Sequence, residues 1–72
     1  MKKYGEAMKC YNKAIELDPN SFDAYFNKGQ AFLCKNKFDE AIDCYNKVLE
    51  IKPNYTEAIN YRTIALMKKI NI

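Results

Sequence analysis

The sequence predicts an all-α protein built from antiparallel helical hairpins, and two observations carry that prediction. The first is a repeat: YGEAMKCYNKAIELDPN at Tyr4–Asn20 returns as FDEAIDCYNKVLEIKPN at Phe38–Asn54, with Ala7, Cys10, Tyr11, Lys13, Glu16 and Pro19 recurring 34 residues later at Ala41, Cys44, Tyr45, Lys47, Glu50 and Pro53. A fixed period of this size marks stacked helical units, each of which buries its apolar face only against its neighbours. The second is the spacing of apolar residues at steps of three and four, which gathers them on one face of a helix. The stretches that show it are separated by short polar turns, so the chain reads as four helices, or fewer if the turn at Asn36 straightens.

The first helix spans Lys2 to Asp18, with Tyr4, Ala7, Met8, Tyr11, Ala14 and Ile15 on one face and Lys9, Asn12, Lys13 and Glu16 on the other. Gly5 weakens its first turn by about 1 kcal/mol relative to alanine. Pro19 ends it, because proline disfavours the helical conformation in Asp18 and has no N–H to donate. Asn20 and Ser21 are good N-cap residues for a second helix, and Asp23 suits the positive end of its dipole. That helix runs through Ala24, Tyr25, Gly29, Ala31, Phe32 and Leu33 to about Cys34. Gly29 is costly inside a helix unless a neighbour must approach closely, so it reads as a packing glycine.

In the turn Lys35-Asn36-Lys37, Asn36 must take the left-handed conformation that glycine adopts most freely. Phe38 opens the third helix, with Ala41, Ile42, Tyr45, Val48 and Leu49 inward and Asp39, Glu40, Asp43 and Lys47 outward. Asp43 and Lys47 stand in the favourable i,i+4 order. Pro53 closes this helix as Pro19 closes the first. Asn54 followed by Glu57 reads as a cap with an acid in the first turn, so a fourth helix begins near Tyr55 or Thr56. Ala58, Ile59, Ala65 and Leu66 repeat Ala24, Tyr25, Ala31 and Phe32, whereas Thr63 stands where the period places Gly29. Lys68 and Lys69 suit the helix C-terminus. The tail Ile70-Asn71-Ile72 is apolar where a solvent-facing end helix turns polar.

Tyr25, Gly29, Phe32, Ala41, Tyr45, Val48 and Pro53 fall in order where the tetratricopeptide repeat (TPR) family places its aromatic, glycine, alanine and proline residues, with Val48 for the usual small one. The chain thus resembles that family over nearly its whole length. The resemblance implies an α-α superhelix in one domain, 1–72. Residues 22–55 form a complete repeat, 1–21 the second helix (helix B) of a partial repeat, and 56–72 the first helix (helix A) of another.

Composition narrows the function classes. No apolar run approaches the ~20 residues that cross a membrane. Met1-Lys2-Lys3 imitates the start of a signal peptide, but Tyr4-Gly5-Glu6 follows where an apolar segment would be, so a cytoplasmic protein is expected. The net charge of +3 divides into +1 for residues 1–20, zero for 21–54 and +2 for 55–72, too dispersed for a nucleic-acid footprint. Cys10, Cys34 and Cys44 have no CxxC spacing and no histidine beside them, so no metal is expected and the thiols read as core-facing or half-buried. The usual catalytic constellations lack members, and no cofactor and no enzymatic activity are expected. Asn54-Tyr55-Thr56 matches a glycosylation sequon, which matters only in a secreted protein.

By resemblance, helix A of each repeat lines a concave groove that holds a peptide or partner helix. The groove positions are Asp23, Phe26, Asn27, Gln30 and Leu33 on the second helix and Glu57, Asn60, Tyr61, Ile64 and Met67 on the fourth. The resemblance implies a protein-interaction module, part of a scaffold or adaptor, with a protein or peptide partner. Asn27 matches the asparagine with which chaperone-binding members hold a C-terminal carboxylate, but Glu57 and Tyr61 stand where that clamp has lysine and arginine. Such a pocket loses its charge-assisted bonds. The alternative is self-assembly: the uncovered faces of the first and fourth helices are complementary by construction, which predicts a homodimer, either stacked or with helices exchanged through a straightened turn at Asn36.

Overall fold

The computed structural model describes residues 2–70 of the 72-residue chain, so of the apolar tail only Ile70 lies within the described residues. Four helices follow one another: α1 (Lys2–Leu17), α2 (Phe22–Cys34), α3 (Phe38–Ile51) and α4 (Thr56–Ile70). No strand occurs among the described residues. Consecutive helices pack as neighbours, and the whole forms a slab 35 × 32 × 14 Å.

The 34-residue period is written into the backbone. After Pro19, the Ser21 N–H donates to Asp18 O (3.0 Å), and the Ala24 and Tyr25 N–H groups donate to Ser21 O (3.1 and 3.3 Å). After Pro53 the same bonds run from Tyr55 to Lys52 O (3.1 Å) and from Ala58 and Ile59 to Tyr55 O (3.1 and 3.3 Å). The turn carbonyls therefore set where α2 and α4 begin, and of the two cap assignments only that of Asn54 is corrected. Ser21 occupies the N-cap of α2 without a side-chain capping bond. Asn54 lies before the start of α4 rather than at it, and its carbonyl accepts the Thr56 hydroxyl at 3.4 Å.

The turn at Asn36 is bent, so the helix count is four and α2 and α3 do not merge. Asn36 is left-handed, with φ 62°. Its N–H donates to Leu33 O (3.0 Å), and the Lys37 N–H donates to Phe32 O (2.9 Å), the paired bonds of a Schellman closure. Asparagine does here what glycine does more cheaply elsewhere.

The core centres on α3, which lies between α2 and α4. Ala41, Tyr45 and Val48 of α3 and Ala58 and Ala65 of α4 have no exposed surface, and Ala24 of α2 is nearly as buried. No described residue of α1 is fully buried; Tyr4, Ala7, Met8, Tyr11, Ala14 and Ile15 are half-buried, because α1 has α2 on one side and no other described helix over it. Gly29 explains how α2 approaches α3: a Cβ at this position would lie 2.7 Å from Cε1 of Tyr45, closer than such atoms sit. Surface bonds add orientation more than energy. Lys69 pairs with Asp39 and the Arg62 Nη1 donates to Asn46 Oδ1 at 2.8 Å, both joining α4 to α3. Lys47 pairs with Glu50 at 3.5 Å and not with Asp43, a correction to the i,i+4 expectation.

The thiols separate by position. Cys44 is buried, but Cys10 and Cys34 are exposed, which corrects the expectation that all three are sheltered. Burial pushes the Cys44 thiol up to about 11, only partly offset by the Lys28 ammonium, and burial likewise raises the Tyr45 phenol. The unfolded chain therefore loses these protons first as pH rises, so it binds fewer protons than the folded chain and stability falls above about pH 9. The slope is up to roughly 1.4 kcal/mol per pH unit for each group while only its unfolded form is ionised. Urea midpoints between pH 7 and 10.5 should decline accordingly, and Cys44→Ala should flatten the part of the decline between the ordinary thiol value and about 11. An unchanged profile in that variant would remove the buried thiol as a cause.

Candidate functional site

The face built from α2 and α4 has an aromatic floor. Phe26 of α2 meets Tyr61 of α4 edge-on (5.8 Å between ring centroids), Tyr55 of the turn before α4 (5.3 Å) and the buried Tyr45 of α3 (5.9 Å). Tyr61 stacks on Tyr45 at 6.2 Å, and Phe22 meets Tyr55 edge-on at 5.4 Å. One tyrosine of α3 thus supports the rings of both helices from beneath. Its hydroxyl donates to Gln30 Oε1, which fixes the Gln30 side chain and leaves its amide NH2 as the group able to meet a ligand.

The ten positions anticipated for a groove divide by exposure. Asp23 and Asn27 on α2 and Glu57, Asn60, Ile64 and Met67 on α4 are exposed. Phe26, Gln30, Leu33 and Tyr61 are half-buried, and Phe26, Leu33 and Tyr61 pack against the core. Phe26 and Tyr61 therefore serve the fold as well as the face, so alanine at either cannot weaken binding while sparing stability. At one end, burial and the neighbouring Glu57 and Asp23 carboxylates push the Tyr55 phenol above its ordinary value, which places acids from two helices around one ring. At the other end, Ile64, Met67, Lys68 and Ile70 line an open apolar cleft of about 440 Å³.

Phe22 and Tyr55 belong to this floor and were not singled out from the sequence. The signal for Tyr55 was its place: the period aligns it with Ser21, and an aromatic at a helix start where the sister repeat has serine calls for a packing partner. Chemically the face offers aromatic surface, amides and acids. Among the described residues no group of three or more cysteine, aspartate or glutamate side chains is placed to hold a metal ion.

Comparison with known families gives two matches. A family model described as Tetratricopeptide repeat matches residues 22–55, and a second, described as TPR repeat, matches residues 1–35. Together they span residues 1–55. No curated protein matches the chain.

Proposed function

The chain belongs to the tetratricopeptide repeat family, whose repeats are in general non-enzymatic protein-interaction modules, and from that premise we propose that it binds an extended peptide or a helix across α2 and α4. The supporting observation is the continuous aromatic floor from Phe26 to Tyr61, bordered by exposed polar groups. Aromatic surface supplies contact area, and Asp23, Asn27, Asn60 and Glu57 supply orientation, the division of labour found in small binding faces. No helix among the described residues is long and apolar enough to cross a membrane. A role in a cytoplasmic scaffold or adaptor is part of the same proposal.

The test uses the exposed groove residues, because they can change without touching the core. Peptides selected from a random library against the full chain should lose at least tenfold in affinity for an Asn27→Ala/Asn60→Ala variant while its thermal midpoint stays within a few degrees of the parent. Binders equally tight on the parent and the variant would place recognition elsewhere, as would a selection that returns none. Association of two copies through the faces of α1 and α4, stacked or with helices exchanged, is the competing reading. Sedimentation over a hundredfold range of concentration decides it, since a monomer at every concentration eliminates a homodimer.

A further inference from the structure

We infer that the groove takes an extended segment whose arginine lies at the Tyr55 end, between Asp23 and Glu57, and whose aliphatic side chain, roughly three to five residues away, lies in the cleft at Ile64 and Met67. The inference rests on the groove reading above and adds to it the charge, the order and the spacing of what the groove holds.

The Tyr55 end is a cluster of rings bordered by acids. Phe22 and Phe26 both meet Tyr55 edge-on, at 5.4 and 5.3 Å between centroids. Asp23 follows Phe22 in the first turn of α2, and Glu57 stands in the first turn of α4. Both are exposed, and among the described residues neither forms an ion pair. They reach the same ring: after burial, a hydrogen bond with Glu57 and its charge, then the charge of Asp23, raise the Tyr55 phenol. Each acid also suits the positive end of its own helix, but a helix start carries only about half a unit charge, so two full negative charges leave the pair of starts negative. A cation on these rings has a precedent within the chain, since the Lys52 ammonium lies 4.8 Å from the Phe22 centroid.

Charge gives the groove a direction. Of its ten positions only Asp23 and Glu57 are charged, and both stand at one end. The other end has Lys68 beside Ile64, Met67 and Ile70 in the apolar cleft. A partner's cation is drawn to the first end and repelled from the second, where its aliphatic side chain fits instead. Arginine suits the first end better than lysine, because a planar guanidinium stacks on a ring while its edge bonds carboxylates, whereas an ammonium is a hydrated point charge. Helix geometry sets the spacing. Ile64 and Met67 lie seven and ten residues beyond Glu57, about 10 and 15 Å along α4. An extended chain covers that distance in roughly three to five residues.

The experiment follows the backbone amides of the full chain by NMR as end-capped peptides are added. The parent peptides place arginine and leucine four residues apart in a glycine-serine chain, in either order. Others replace the arginine by citrulline, its uncharged isostere, or by lysine, or set the leucine directly beside the arginine. One parent should bind at least tenfold more tightly than its citrulline form and severalfold more tightly than its lysine form, and its affinity should fall as salt rises. Asp23→Asn/Glu57→Gln should erase the advantage of arginine over citrulline. Met67→Ser, which leaves both acids in place, should weaken the parent peptide and keep that advantage. The inference is overturned if neither parent binds, if citrulline or lysine replaces arginine without loss, if the advantage survives removal of both acids, if Met67→Ser has no effect, or if the closely spaced peptide binds as tightly. The groove reading fails separately: library-selected peptides that lose affinity for Asn27→Ala/Asn60→Ala but not for Asp23→Asn/Glu57→Gln uphold the groove and overturn its arginine.

Discussion

Replacing Tyr45 by alanine is expected to unfold most of the chain at room temperature. Tyr45 has no exposed surface, lies against the Gly29 position of α2, and supports Phe26 and Tyr61 from the two flanking helices. Truncating a buried aromatic costs about 3–5 kcal/mol. A domain of this length has roughly 4–11 kcal/mol in total, and one with a half-covered first helix belongs at the low end. Tyr45→Phe keeps the ring and loses only the bond to Gln30, so about 1 kcal/mol is expected there. Urea titrations followed by circular dichroism measure both. A Tyr45→Ala chain that still unfolds cooperatively near the parent midpoint would show that the core does not centre on α3.

Gly29→Ala is expected to destabilise by about 1–2 kcal/mol, although alanine is the better helix former by about 1 kcal/mol. The new Cβ would meet three ring atoms of Tyr45 at 2.7, 3.0 and 3.1 Å. That ring is fully buried and its hydroxyl is bonded, so it cannot swing aside without giving up contacts on both sides. The loss should therefore depend on the tyrosine. In a Tyr45→Leu background, where the ring is gone, the same Gly29→Ala change should become neutral or stabilising, and the double-mutant cycle reads the coupling directly. A stabilising Gly29→Ala in the parent would mean that α2 and α3 approach less closely than the structure has them.

Much of the fold was legible because its determinants are local or recur. The four helices, their ends at Pro19 and Pro53, and the left-handed Asn36 follow from periodicity and backbone sterics acting within a few residues. Gly29 as a packing position also follows, since a glycine inside a helical pattern has a cost that only a close neighbour offsets. The capping bonds were less legible: Ser21 stands at the N-cap as expected but without a side-chain bond, and Asn54 lies one residue early, because the turn carbonyls and not the side chains set where each helix starts. For the candidate site, the resemblance to the family implied all ten residues on α2 and α4 but not their depth. Phe26 and Tyr61 look like ligand-facing aromatics in sequence and are half-buried in the structure, because Tyr45 and Tyr55 reach them from elements 16 or more residues away.

By itself the sequence determined the class of fold, the register between repeats and the family, while the bent turn at Asn36 settled the number of helices. Tertiary structure alone decided which copy of each repeated residue is core. Cys10 and Cys44 have nearly the same local sequence, as do Tyr11 and Tyr45, yet Cys44 and Tyr45 are buried while Cys10 is exposed and Tyr11 half-buried. The reason is geometric: among the described residues α3 has a helix on either side, whereas α1 packs mainly against α2. Local sequence specifies which face of a helix is apolar, but how much of that face leaves water depends on how many neighbours lie against it.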